Sequence, residues 1–324
     1  MIVATQRDRA WTPGTSDMQR PVQLVGFACA LAAGLAAGAA RAAGDSSTSF
    51  SAEIGLGAEY DSNVSVDELD ASSNQGDYAG TLDAELKLKH EFNPKLDTSL
   101  TYNFSETAYE EFDFLDRQTH LLGLDFAGDL GPVTSGLTLH YINARLDGED
   151  FLEYYRASPY ASGFLAKKWF LRGAYVYSDK SVEQNPGRDS LGHAGELDVY
   201  FFRRGLRSYF NVGYKYKHED AEADRYDYTS SDVKVRYVHR WDVLQKPLKF
   251  ELGWRYEYRD YSSVTPSIGE ERLDKRQRWK TSLDYPVFTK GNIELYGGYA
   301  DYDSNYPSAD YEQYVVGTRV SYSW

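Results

Sequence analysis

From Phe50 to Trp324 apolar residues recur at every second position, and a chain patterned this way builds strands with two unlike faces. Phe50, Ala52, Ile54, Leu56, Ala58 and Tyr60 alternate with Ser51, Glu53, Gly55, Gly57 and Glu59. Phe250, Leu252, Trp254, Tyr256 and Tyr258 enclose Glu251, Arg255 and Glu257, and Tyr314, Val316, Thr318, Val320, Tyr322 and Trp324 repeat the pattern at the end. Fourteen such runs follow one another, near 50–60, 78–90, 96–108, 117–126, 133–143, 153–163, 169–178, 190–201, 207–218, 228–239, 248–260, 274–285, 292–301 and 311–324. The period blurs at His120-Leu121-Leu122 and at Ser158-Pro159, so the registers near 117–126 and 153–163 stay open. Most runs exceed the 5–6 residues typical of soluble strands and suit tilted membrane strands.

The connections carry a second period. Those after even-numbered runs are short: Glu91–Lys95, Ala127–Pro132, Phe164–Lys168, Phe202–Arg207, Arg240–Pro247 and Pro286–Gly291. Those after odd-numbered runs are longer and more polar, as in Asp61–Asp77, Ala144–Leu152, Asp179–Asp189, Glu219–Asp227 and Tyr261–Leu273. Short turns at one end and long loops at the other predict an all-β, transmembrane, antiparallel up-and-down barrel of about fourteen strands, with both termini in the periplasm. Phe92, Phe126, Trp169, Phe201, Trp241, Phe250, Phe288 and Trp324 cluster at the short-turn end. Tyr60, Tyr78, Tyr109, Tyr141, Tyr177, Tyr228, Tyr258 and Tyr302 cluster at the long-loop end. Two rings of amphipathic aromatics are what two membrane interfaces require. Asp67, Glu68, Asp70, Glu110, Asp147, Glu219, Glu271 and other acids fall in the long loops, whereas Lys95, Lys167, Lys168, Arg203, Arg204, Arg240, Lys246 and Lys290 fall in the turns.

Export is the expected route. Leu24–Ala40 is the one long apolar stretch, preceded by Arg20 and followed by the small-x-small triplet Ala40-Arg41-Ala42, the layout of a signal peptide. Residues 1–42 therefore read as a signal peptide, with Met18 as a second candidate start, and residues 43–324 as the barrel. Cleavage removes Cys29, both methionines, four Arg and two Asp, so the net charge of −14 becomes −16. A cysteine-free chain has no disulfide or thiol chemistry. A mean hydropathy of −0.58 excludes a multi-helix membrane protein, and the acidic balance excludes a nucleic-acid binder.

The alternation closing on Tyr322 and Trp324 resembles the C-terminal assembly signal of bacterial outer-membrane barrels, which implies insertion by the barrel assembly machinery of a Gram-negative cell. Tyr60-Asp61-Ser62-Asn63-Val64 resembles the segment that opens the barrel of surface lipoprotein assembly modifiers and of exopolysaccharide-secretion barrels. Those families carry a periplasmic helical-repeat domain; here a few residues separate the cleavage site from the first strand. The resemblance implies an outer-membrane barrel, with an exported polymer or lipoprotein as partner.

No catalytic, cofactor or metal constellation stands out. His90, His120, His140, His193, His218 and His239 lie on separate runs without metal-ligand spacing, and acid pairs such as Asp83/Glu85 and Glu251/Glu257 read as solvated lumen residues. With polar faces turned inward, one wall carries Lys215, Lys217, Lys234, Arg236, Lys249, Arg255, Arg259, Arg276, Arg278, Lys280 and Arg319. Glu53, Glu59, Asp83, Glu85, Glu196, Asp198 and Glu294 line much of the rest. Two functions fit this sorting: a porin-like conduit whose basic track passes polar solutes, anions or polysaccharide among them, or a filled barrel whose acidic loops meet lipopolysaccharide, cations or a partner. A secretion-accessory barrel is the third expectation.

Overall fold

The structure is a computed structural model that describes residues 47–324; the expected signal peptide lies outside them. Fourteen antiparallel strands form one closed sheet. They are β1 (Thr48–Asp61), β2 (Asp77–Asn93), β3 (Leu96–Tyr109), β4 (Arg117–Asp129), β5 (Thr134–Leu146), β6 (Glu149–Ala166) and β7 (Trp169–Val182). The second half is β8 (Ser190–Phe202), β9 (Ser208–Ala221), β10 (Tyr228–Val243), β11 (Lys246–Thr265), β12 (Glu270–Pro286), β13 (Gly291–Ser304) and β14 (Tyr311–Ser323). Each strand pairs with its sequence neighbours, and β1 closes the ring on β14 with Leu56 opposite Val320 and Gly57 opposite Arg319. Every expected run is a strand, including the two with blurred periods.

Leu56, Leu100, Leu122, Trp169, Tyr214, Trp241, Trp279 and Val316 are exposed on the outer face, as lipid-facing side chains must be. Registers carry the alternation around the whole ring: Glu53 opposes Glu85, Asp125 opposes Thr138, Glu196 opposes Lys215, and Lys234 opposes Arg255, all on the inner face.

Three expectations need correction. Ala144–Leu152 is not a long loop: the strands run on to Leu146 and from Glu149, joined by Asp147-Gly148, both at positive φ (49° and 77°). Asp-Gly is the dipeptide that suits a two-residue hairpin with this twist. Likewise Tyr261–Leu273 is mostly strand, since β11 continues to Thr265 and β12 begins at Glu270. Third, Tyr109, Tyr228 and Tyr302 leave the outer girdle: they share the inner face and are buried, because their hydroxyls meet Asp61, Glu219 and Asp67.

The inner face divides along the axis. Toward the short turns, Glu53, Glu85, Lys87, Lys234 and Lys280 point inward and are solvent-exposed, which makes a charged vestibule. Toward the long loops, Asp61, Asp77, Glu219, Asp232, Glu257, Arg272, Asp274 and Arg276 are buried. Burying so many charges is costly unless each finds an opposite partner.

The β10–β11 turn is strained in an informative way. Leu244 and Gln245 sit at φ 49° and 64°, a left-handed pair that Asn-Gly adopts more easily. Replacing them together (L244N/Q245G) should stabilise the barrel by about 1 kcal/mol. Urea unfolding in lipid vesicles should show a raised midpoint; an unchanged or lowered midpoint would refute the strain.

Candidate functional site

The connection 62–76 does not project away from the barrel; it folds across the long-loop mouth as a strap. Its base is the motif Asp61-Ser62-Asn63-Val64. Asp61 accepts from the backbone N–H of Asn63 (3.0 Å) and from the Gln313 amide of β14 (2.8 and 2.9 Å). The Asn63 side-chain oxygen accepts from the Ser72 hydroxyl (2.7 Å) and the Asn74 N–H (2.9 Å), while its amide donates to the Glu312 carbonyl (3.0 Å). One asparagine thus ties both legs of the strap to β14. Val64 is buried against Ala79 and Tyr109.

Beyond its base the strap pairs Ser65–Val66 with Ala71–Ser72 around a single 3₁₀ turn, Asp67–Leu69. Val66 enters a buried apolar cluster with Ala144 and Leu146 of β5, Phe151 of β6 and Val182 of β7; Leu69 packs beside it. The cluster lies on β5 to β7, four to six places round a ring of fourteen from β1, so this contact reaches well across the mouth.

Asp70 closes the 3₁₀ turn in the left-handed region (φ 50°) and is aimed at a third arc of the wall. Arg272 of β12 grips its carboxylate with two parallel bonds of 2.8 and 2.9 Å, the bidentate geometry guanidinium favours. Arg188, from the β7–β8 connection, donates to the same carboxylate. Arg272 also binds Asp274 (2.8 and 2.9 Å), which accepts from Arg276 (3.1 Å) and Ser304 (2.7 Å). Tyr261 and Tyr306 flank the Arg272 guanidinium at 4.7 and 5.0 Å. Asp67 accepts from the hydroxyls of Tyr302 (3.0 Å) and Tyr311. Burial pushes the Asp70 carboxyl up, but bonds and attraction from Arg272 and Arg188 outweigh it and hold it at about 2.

Nine of the eleven expected basic-track residues have carboxylate partners. Arg276 joins the Asp70–Asp274 network. Lys217 meets Glu219, Arg255 meets Asp232, Lys234 meets Asp198 (2.8 Å), and Arg236 and Lys249 share Glu251 (3.6 and 3.2 Å). Arg259 and Arg278 share Glu257 (3.0 and 3.9 Å), and Arg319 bridges Asp83 (2.9 Å) and Glu294 (2.5 Å). Among the described residues Lys215 and Lys280 form no ion pair. The basic arc is a mosaic of neutralised pairs with two cations left over, while Glu53, Glu85 and Lys87 face the lumen elsewhere without ion pairs among the described residues. Tyr322 lies opposite Ile54 and stacks edge-on with Trp324 (5.3 Å), whose backbone exchanges hydrogen bonds of 2.9 and 3.1 Å with Ala52 at the seam.

Two features had no clear sequence signal. Arg188 and Arg272 sit in polar segments among other charges, and only the fold brings them to Asp70. An inward aromatic arc, Phe164, Phe170, Tyr200, Phe202 and Tyr209, lines the short-turn mouth with ring centroids 5.1 to 6.4 Å apart. Its members are spaced like any girdle residue and only register shows that they face inward. The histidines His90, His120, His193 and His239 bond singly to hydroxyls of Thr48, Tyr102, Tyr175 and Tyr237.

A carboxyl held below its free value of about 3.9 stabilises the docked strap fully above pH 4 and loses that contribution as pH falls through about 2. The strap should therefore resist pepsin at pH 4 and be cut near Leu69 below pH 2. Asp70→Asn removes one partner of a buried pair, costs about 3 kcal/mol, and should expose the strap at pH 4 already. Resistance of D70N equal to wild type, read by mass spectrometry of the fragments, would overturn the junction's role.

No protein-family model and no curated protein matches the chain. Solved structures do. OmpT, an outer membrane protein of Vibrio cholerae, aligns at 9% identity and a TM-score of 0.51 over 87% of this chain and 99% of its own. OmpF of Salmonella typhi aligns at 8% identity and 0.50 over 85% and 97%. CdiB from Acinetobacter baumannii gives 11% identity and 0.47 over 84% of this chain, which spans 60% of the length of CdiB. Similarity at this identity concerns the fold alone: the chain is built, as these outer-membrane proteins are, as a closed antiparallel β-barrel, here of fourteen strands.

Proposed function

We propose that this protein is an outer-membrane channel for small polar solutes, kept closed at its outer mouth by the strap 62–76. In this reading the short turns and both termini face the periplasm and the strap faces outward. One observation carries it: inward, water-exposed charges make the short-turn half a vestibule, while the other mouth is crossed by a loop held through side chains rather than by a sheet ladder. A loop held that way can leave without unzipping the barrel. Anions gain a foothold on the basic arc, where Lys215 and Lys280 lack carboxylate partners, whereas the unpaired Glu53 and Glu85 lie on β1 and β2. The aromatic arc beside Arg172 and Arg236 offers flat apolar faces next to charge, a surface that suits sugar rings.

A second reading is a non-conducting barrel with an interaction role. The density of buried ion pairs at the long-loop end favours it.

Planar-bilayer recording separates the two. The wild-type protein should show small or rare openings at neutral pH, and deletion of residues 65–73 should raise the conductance several-fold. Lys280→Glu in the deletion background should lower anion-over-cation permeability. Absence of current from a folded deletion variant would sink the channel and leave the interaction barrel.

A further inference from the structure

Nine of the eleven cations of the basic arc are paired, which makes the gap at Lys215 informative. The register places Lys215 of β9 opposite Glu196 of β8 and Asp232 of β10, the two carboxylates nearest to hand. Both are already engaged: Arg156 holds Glu196 at 2.9 Å, and Arg255 holds Asp232. The next acid along the strand, Glu219, is shared by Lys180 and Lys217. Around this spot five cations, Arg156, Lys180, Lys215, Lys217 and Arg255, face three carboxylates, Glu196, Glu219 and Asp232, so positive charge is in local excess.

A cavity of about 50 Å³ opens at the same place, and Lys215, Lys217, Arg156, Ser178, Gly192 and Glu196 are among its lining residues. The size suits one small ion rather than a sugar; a water molecule in the liquid occupies about 30 Å³. Gly192 is required for this packing. A Cβ there would overlap the Ser178 hydroxyl and stand 3.3 Å from Cε of Lys217, so a side chain at 192 would displace the hydroxyl and crowd the lysine stem. Two ammonium groups, a guanidinium and a hydroxyl converge on a space whose one carboxylate, Glu196, is already bound by Arg156. A half-buried cation with no counter-charge costs free energy that an anion would recover.

We infer that the wall between β6 and β9 carries a binding site for one small monovalent anion, of halide to carboxylate size, with Lys215 as its principal ligand and Lys217 and Ser178 as supporting donors. Arg156 neutralises Glu196, which lines the same space, and so positions the site without needing to touch the ion. The site deepens the channel reading and rests on it for the supply of anions to the lumen. Occupancy itself needs no current, so the two ideas fail separately.

Excess line broadening of chloride-35 in NMR reads such binding directly on the full-length barrel in detergent. Wild-type protein should give saturable broadening that nitrate competes away. Lys215→Met removes the charge but keeps an unbranched stem, and should weaken binding at least tenfold. Lys280→Met, at the other unpaired cation, should leave it unchanged. Gly192→Ala fills the cradle without touching a charge and should weaken binding similarly; heat-modifiable gel mobility checks that each variant is folded. Broadening that persists in folded K215M, or that is equally lost in K280M, would overturn the assignment, as would wild-type broadening that never saturates. A bromide anomalous peak beside Lys215 Nζ in crystals would place the ion; a peak only elsewhere would refute the location.

Discussion

The Asp70 carboxylate joins three arcs of the ring. It belongs to a loop rooted between β1 and β2, and it receives Arg272 from β12 and Arg188 from beyond β7. Strand ladders hold neighbours together but do nothing across the lumen; only a side-chain junction can tie distant arcs. The apolar contacts of the strap do not suffice alone. Burying Val64, Val66 and Leu69 contributes about 5–9 kcal/mol, while fixing each residue of a loop costs about 1–2 kcal/mol. Three anchors therefore order only part of the residues 62–76, and the hydrogen bonds of Asn63, Asp67 and Asp70 must supply the rest. The closure is consequently polar, and it responds to acid and to charge substitutions more than to changes in the apolar cluster.

The same electrostatic logic shapes the wall below. A charge on one strand meets an opposite charge only where the register allows: Asp232 beside Arg255 and Glu294 beside Arg319 on neighbouring strands, and Asp198 with Lys234 across Gly213 of β9. A row of basic residues in one stretch of sequence thus becomes a largely neutral surface in the barrel. What solutes meet is set by the exceptions, Lys215 and Lys280 on the basic arc and Glu53, Glu85 and Lys87 on β1 and β2, rather than by the sum of lumen lysines and arginines.

How much of this was legible in the residues follows from the range of each interaction. The fourteen strands were, because each needs only its own period of two and two-faced burial; even Ser158-Pro159 did not stop β6, since neighbouring residues keep the alternation. Strand ends at the long-loop side ran further than hydropathy suggested. There the inner face is polar and buried, so polar residues such as Arg272 and Asp274 continue a strand instead of marking a loop. Tyr109, Tyr228 and Tyr302 were misplaced for the same reason: a tyrosine at a strand end suits a lipid interface or a buried carboxylate equally well. The motif Asp61-Ser62-Asn63-Val64 was visible as a pattern, but its work in fastening the strap to β14 depends on partners such as Gln313 and Glu312, far along the chain. Arg272 meets Asp70 across 202 positions of sequence, beyond the reach of any local pattern.

The most direct measurement of the junction is a distance across the mouth. Residues 47–324 contain no cysteine, so spin labels at Ala71→Cys on the strap and Gln184→Cys in the β7–β8 connection report one pair only. Pulsed electron paramagnetic resonance at neutral pH should give a single narrow distance in the otherwise wild-type barrel and a broad distribution once Asp70→Asn is added. An equally narrow distribution in both would mean that the strap is held without its carboxylate, and the polar closure would be contradicted.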